Sequence, residues 1–426
     1  MTKGFILCDK GFEKTVFEDT QRLLDKKLKG TFVERGFFFE TENLTDFITL
    51  TYKSQSALRI IIPLVQTKRT NNLEGDYEQI VDFVTSNLTI KSVQEWVDET
   101  HTFKVAVSDI LKKYDSQKLA QKLGAYIFTQ AHAKADMKYP TTKLLLLATE
   151  TDIMFGIDFS HTLLSKREYK MFNTPTALRS TIAYNLLCES GAIAEIADLQ
   201  KSDSEDFDDS SDEADDEYQN EEEADEADEV PETLTILDPF CGSGTIPIEA
   251  ALFVKNHSPR HFQNEELGFW KFKPFTHKQI EKHLATIMGE RETPIPIKVL
   301  GYDIQTKAVD STKKNAKIAG VNKSIKLSRV DIDWVDTKFE DGVEVDYIVT
   351  VPPYFTQHHP ISKIQKPYVQ FFDRIGHVLA EEGVIVFLTN KGDAVLEVLP
   401  KTFKLDEKKV IYMGKNAYDL LKIVRA

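Results

Sequence analysis

Cysteine is scarce in this chain, and no apolar run approaches the ~20 residues that a membrane helix needs. The three cysteines, Cys8, Cys188 and Cys241, lie far apart with no CxxC spacing. That leaves no disulfide framework and no zinc site, and reduced thiols are expected. The N-terminal stretch turns charged at Asp9 before a signal-peptide core could form, so the cytoplasm is the expected compartment and no membrane partner is expected. Positive charge is also short, with a net charge of -15 over 426 residues. The deficit is local. Residues 201–232 hold 18 Asp and Glu against Lys201 alone, which leaves 50 acidic and 52 basic residues elsewhere. The remainder is near neutral and lysine-rich, compatible with an RNA partner. The acidic tract has only Phe207 and Tyr218 as large apolar residues, too few to offset the entropy of ordering, and reads as a disordered, solvated insert.

A chain of this length calls for more than one core. Gly4–Leu7, Thr31–Val33, Phe37–Phe39 and Leu58–Val65 read as strands, with helices at 12–28 and 44–50, the β-α-β-β-α-β order of a ferredoxin-like unit. Glu34-Arg35-Gly36 reads as a hairpin connection with the glycine at the position of positive φ. A second α/β unit spans about Asp76 to Phe159, its helix from Ser116 capped by Asp115. From Ile297 onward strand and helix alternate strictly, which implies a parallel sheet covered on both faces. An aromatic insertion, with Phe262, Phe269, Trp270, Phe272 and Phe275, reads as a local apolar subcore ahead of a base-stacking surface.

Ligands in such sheets gather at the carboxyl ends of the strands, so acids and glycines there are the candidate site. The first end supplies Asp238 and the Cys241-Gly242-Ser243-Gly244-Thr245 turn; the second supplies Asp303, suited to ribose hydroxyls. Asp331 follows the third, placed for an adenine amino group, and Val351-Pro352-Pro353-Tyr354 follows the fourth, with a stiff backbone and a stacking ring. A P-loop is excluded because no Gly-Lys-Ser/Thr follows the turn, and a dinucleotide site lacks its third glycine, which is Pro247 here.

Asp238-Pro-Phe-Cys-Gly-Ser-Gly-Thr-Ile-Pro-Ile-Glu-Ala-Ala251 resembles the cofactor motif of the class I S-adenosylmethionine-dependent methyltransferases, and more narrowly of the THUMP-domain RNA guanine-N2 methyltransferases. Lys166-Arg-Glu-Tyr-Lys170 and Thr174–Ala183 are similar to the family segment that packs over the methionine end of the cofactor. The resemblance implies an α/β chain whose Rossmann-like methyltransferase domain (161–200 and 233–426) follows a ferredoxin-like unit (1–70) and a THUMP RNA-binding unit (71–160), with 201–232 as the insert. It implies S-adenosylmethionine as cofactor, no metal, tRNA as the RNA partner and N2-methylguanosine as product. A monomer is expected.

One departure stands out. The family's fourth motif opens with Asn or Asp, whose side chain and the following proline carbonyl accept hydrogens from the guanine amino group; here that position is Val351, and Phe355 replaces the usual glycine. A non-catalytic RNA-binding protein that keeps the cofactor pocket is therefore an alternative, as is a methyltransferase of rRNA. Lys118, Lys122, Lys134 and Lys138 are candidates for phosphate contacts, with a solvated helix face as the bland reading. His358-His359 reads first as a solvated pair, ahead of a phosphate contact or a proton acceptor.

Overall fold

A computed structural model describes residues 1–69, 77–175, 177–208, 233–262, 267–289, 296–339, 344–353 and 361–426. Tyr354, Phe355, the His358-His359 pair and most of the acidic tract lie outside the described residues.

The N-terminal part runs β1 (Thr2–Leu7), α1 (Glu13–Leu24), β2 (Thr31–Val33), β3 (Gly36–Thr41), α2 (Asp46–Lys53) and β4 (Arg59–Lys68), the order that the sequence implies. Then come α3 (Tyr77–Asn87), α4 (Ile90–Gln94), β5 (Thr102–Asp109), α5 (Ser116–Ala131), β6 (Lys134–Ala135), β7 (Thr142–Ala148) and β8 (Asp152–Asp158). Among the described residues the two units share an eight-stranded sheet, ordered β2-β3-β1-β4-β8-β7-β5-β6, because β4 pairs with β8. Asp115 caps α5 by accepting from the N–H groups of Gln117 and Lys118, as its place ahead of the helix predicts. The β2–β3 turn differs from expectation. Positive φ falls on Arg35, and Gly36 instead begins β3, where an added Cβ would stand 2.2 Å from the Ile6 carbonyl oxygen of the neighbouring strand. Close strand approach, and not turn conformation, requires that glycine.

The second part opens with α6 (Ser180–Ser190) and α7 (Ala192–Asp208), so helix continues into the first residues of the acidic tract. It then runs β9 (Leu234–Asp238), α8 (Thr245–Val254), α9 (His277–Ile287), β10 (Ile297–Asp303), α10 (Thr306–Ile318), β11 (Ile325–Arg329), β12 (Val345–Thr350), α11 (Ile361–Ile375), β13 (Leu379–Thr389) and α12 (Gly392–Leu396), and ends in the hairpin β14 (Phe403–Met413) and β15 (Asn416–Arg425). The sheet order is β11-β10-β9-β12-β13-β15-β14, parallel except at β15 and β14. The strand order reverses between β9 and β12, the switch point where such sheets bind ligands. Ile236 and Leu237, adjacent in β9, enter separate core clusters on the two faces of the sheet, as period-two alternation dictates when both faces are covered.

The aromatic insertion packs largely as a subcore. Phe269 and Phe272 are buried, and Phe272 meets Trp96 and Phe159 at centroid distances of 5.5 and 5.0 Å, joining the two parts; Phe262 stays exposed. All three cysteines are free thiols. Among the described residues no helix is long and apolar enough to cross a membrane.

Candidate active site

β9 stops at Asp238, and the chain reverses into α8 through two glycines with positive φ, Gly242 at 56° and Gly244 at 82°. Three hydrogen bonds brace the turn. Cys241 N–H donates to the Tyr302 carbonyl (2.8 Å) and Gly242 N–H to Asp303 Oδ2 (3.0 Å), both on β10, while Thr312 Oγ1 donates to the Gly242 carbonyl (3.0 Å) from α10. One turn further along α10, Asn315 Nδ2 donates to the Ser243 carbonyl (3.0 Å) and to the Phe172 carbonyl (2.9 Å), and Asn315 Oδ1 accepts from Phe172 N–H (3.0 Å). The 170–175 segment is thereby clamped to the turn. Thr245 begins α8 and its hydroxyl lies 3.5 Å from the Leu178 carbonyl.

Gly244 has no room for a side chain, since a Cβ there would meet Thr312 Cγ2 at 2.3 Å. Gly244→Ala is expected to lower stability by about 2–4 kcal/mol, from left-handed backbone strain and overpacking together. Cofactor affinity should fall with it, and Gly244→Ala/Thr312→Ser should recover part of the loss in a thermal melt.

The acids sit at three neighbouring strand ends, as the sequence places them. Asp303 Oδ1 accepts from Gln305 N–H (2.8 Å), so both its oxygens are oriented by backbone donors while further lone pairs stay available. Asp331 caps a short 3-10 turn by accepting from Asp333 N–H (3.3 Å). Asp238 is buried and accepts from Thr350 Oγ1 (2.7 Å) and from Phe240 N–H (3.2 Å). Thr350 ends β12, so the first acid is tied to the residue that precedes Val351. Val351 is half-buried and packs against the core, Pro352 is buried, and Pro353 is exposed with its carbonyl accepting from Tyr368 OH (2.8 Å). Cys241 packs beneath the turn, its Sγ 3.9 Å from Thr312 Oγ1, and burial pushes its thiol well up.

Burial, with the Asp303 carboxylate acting in the same direction, pushes the Asp238 carboxyl up to about 7 against the opposing hydrogen bonds. Its folded pKa lies above the unfolded one, so the proton's stabilising contribution is complete below about pH 4 and is lost as pH rises through about 7. Asp238→Asn should therefore gain melting temperature relative to the native chain between about pH 5 and about pH 8. A difference that is flat with pH would contradict that assignment.

Several residues escape sequence reasoning. Thr312 and Asn315 are buried polar residues three apart on α10; a polar pair on the inner helix face after Asp303 is the one signal they leave. Ile304, half exposed beside Asp303, offers an apolar face at the same rim. Tyr368, fully buried in α11, leaves no sequence signal.

The residues present fit S-adenosylmethionine. A glycine turn whose Cβ positions are closed by Thr312 or approached by Thr174 Oγ1 (3.6 Å from a Cβ built on Gly242) admits close backbone approach. The buried hydroxyls Thr174 Oγ1 and Ser243 Oγ lack a protein partner among the described residues and are free for a polar ligand. Lys118, Lys122, Lys134 and Lys138 are exposed on or after α5 and far in sequence from the turn; Lys118 lies 3.5 Å from Asp115, and Lys138 lies over the Tyr139 ring, 4.8 Å from its centroid.

The chain is similar to known methyltransferases. Over 96% of both chains, the protein is 23% identical to a tRNA (guanine(6)-N2)-methyltransferase of Methanocaldococcus jannaschii. It is 28% identical over 226 residues to the ribosomal RNA large subunit methyltransferase K/L of Shewanella pealeana, spanning 52% of this chain and only 26% of that relative. Among solved structures, a possible methylase from Clostridium difficile 630 superposes with a TM-score of 0.72 at 17% identity, covering 100% of this chain and 98% of that one. TrmN from Thermus thermophilus gives a TM-score of 0.63 at 14% identity, with 100% of both chains covered. Residues 227–417, which carry the turn, the strand-end acids and the Pro352-Pro353 loop, match the methyltransferase domain of the family described as UPF0020, RMKL-like.

Proposed function

We propose that this chain is an S-adenosylmethionine-dependent RNA methyltransferase that forms N2-methylguanosine in tRNA. The observation that carries the reading is the convergence of the braced glycine turn, Asp303 and the Val351–Pro353 loop on adjoining carboxyl ends of β9, β10 and β12. The full-length similarity to a tRNA guanine-N2 methyltransferase supports the substrate class.

Bound there, S-adenosylmethionine supplies an electrophilic methyl group. Asp303 takes the ribose hydroxyls, Asp331 the adenine amino group, and the Gly242–Thr245 backbone with Thr174 and Ser243 the methionine end. Asp238, through Thr350, fixes where β12 ends, and Tyr368 fixes the Pro353 carbonyl. Both hold the loop that presents a flipped guanine, whose weakly nucleophilic amine depends on positioning. Pro352 and Pro353, with Tyr354 beyond the described residues, form that loop. The N-terminal sheet, as a ferredoxin-like unit and a THUMP unit, docks the RNA, with Lys118, Lys122, Lys134 and Lys138 along its phosphates.

The half-burial of Val351 against the core favours one further reading, an RNA-binding protein that keeps the cofactor pocket without transferring the methyl. Calorimetric titration with S-adenosylmethionine followed by methyl transfer to bulk tRNA and to rRNA separates the two. Binding with transfer to tRNA supports the enzyme; binding with background transfer to every RNA supports the second reading.

A further inference from the structure

Glu249 is fully buried on α8, one helical turn past Thr245, and its carboxylate gathers donors from two other parts of the chain. Arg167 reaches it with Nε (2.9 Å) and Nη2 (3.1 Å), Tyr169 OH donates at 2.7 Å, and Gln55 Nε2 donates at 2.7 Å and also to the Glu249 carbonyl at 2.9 Å. Gln55 lies between α2 and β4 in the N-terminal sheet. Arg167 donates in addition to the Gln55 and Leu164 carbonyls. Buried Arg260 donates to the Tyr52, Ser54 and Leu164 carbonyls, which ties the same 52–55 connection to the same 164 turn. One buried carboxylate thus faces two buried guanidiniums at the junction of the N-terminal sheet, the 164–170 segment and the cofactor helix.

A continuous set of contacts leads from that junction to the turn. Tyr169 OH also meets Ser180 Oγ (3.2 Å), and Lys170 Nζ donates to the Leu178 carbonyl that Thr245 Oγ1 approaches. Phe172 is clamped by Asn315, which holds the Ser243 carbonyl, and Thr174 Oγ1 stands beside Gly242.

We propose that Glu249 is a positioning residue that sets residues 169–174 over the cofactor turn and couples the seating of the N-terminal sheet to S-adenosylmethionine affinity. This rests on the turn being the S-adenosylmethionine site. The carboxylate touches neither cofactor nor base; it acts through Arg167 and Tyr169. A simple structural ion pair predicts native cofactor affinity as well as native stability in a variant that removes both charges of the pair with apolar or neutral groups of similar size.

Glu249→Gln alone leaves two buried guanidiniums without their carboxylate and risks misfolding. Glu249→Gln/Arg167→Met removes one charge of each sign, so the net buried charge is that of the native chain, and Tyr169→Phe removes one donor only. The expected result is a double variant that melts close to the native protein, yet binds S-adenosylmethionine about tenfold more weakly. Its amides in residues 169–174 should exchange hydrogen faster, with those of β1 and β3 unchanged. Tyr169→Phe should show a smaller loss in the same direction. Native affinity and native exchange in both variants, with the native protein binding normally, would overturn this inference alone. Native protein that binds no S-adenosylmethionine would overturn the cofactor reading and this inference with it.

Discussion

Asp303→Ala is expected to raise the dissociation constant for S-adenosylmethionine by about 100-fold, the loss of one or two hydrogen bonds to a charged acceptor. The size of the effect follows from two roles carried by one carboxylate. Asp303 Oδ2 accepts from Gly242 N–H, so it holds the turn in the conformation that leaves the glycine backbone open to a ligand. Its remaining lone pairs face the rim where the ribose hydroxyls are proposed to bind. Asp303→Asn separates the roles: the amide oxygen can still accept from Gly242, but no charge remains for the hydroxyls, and affinity should fall by about tenfold only. Calorimetric titration of the three proteins checks both steps, and unchanged affinity in Asp303→Ala would remove the residue from the ribose role.

Val351→Asn is expected to raise the rate of methyl transfer to tRNA by about 100-fold, the scale on which one transition-state hydrogen-bonding group acts. The position lies directly after Thr350, whose hydroxyl is held by Asp238, so the backbone that would present the new amide is already fixed. Cofactor affinity should not change, because Val351 belongs to the fourth strand end and not to the glycine turn. Asparagine at a half-buried site also gives up some apolar packing, and a modest fall in melting temperature should accompany the gain. Single-turnover transfer measured beside a cofactor titration tests this. An unchanged rate would mean that the valine is not what limits the reaction.

The β9–turn–α8 unit was legible because its chemistry is local: a short apolar run, an acid and two glycines leave few conformations open, and Gly242 and Gly244 take the positive φ that this implies. From Ile297 onward the alternation holds except between β11 and β12, where the described residues form 3-10 turns and no α-helix. Non-local pairing was not legible. The joining of β4 to β8 into one sheet depends on partners about 90 residues apart in sequence, from Ile61 with Asp158 to Lys68 with Asp152, and no propensity encodes it. β13 begins at Leu379 and holds exposed Glu381 and Glu382 within the strand, although two adjacent acids resemble a loop. Arg35 taking the positive φ beside a glycine shows a close-packing demand overriding turn preference. Asp238, Asp303 and Asp331 were read from strand ends, whereas their fixtures were not. Thr350, Thr312, Asn315 and the Glu249–Arg167–Gln55 junction are assembled by the fold from distant segments, and each residue alone is an ordinary polar side chain.

The most direct test of the central claim is to map modified nucleosides by mass spectrometry in tRNA and rRNA from cells with and without this protein, and in the same RNAs after incubation with purified protein and S-adenosylmethionine. The account predicts N2-methylguanosine at a tRNA position that is lost without the protein and restored by it. Tight S-adenosylmethionine binding with no methylated nucleoside formed in either RNA would contradict it.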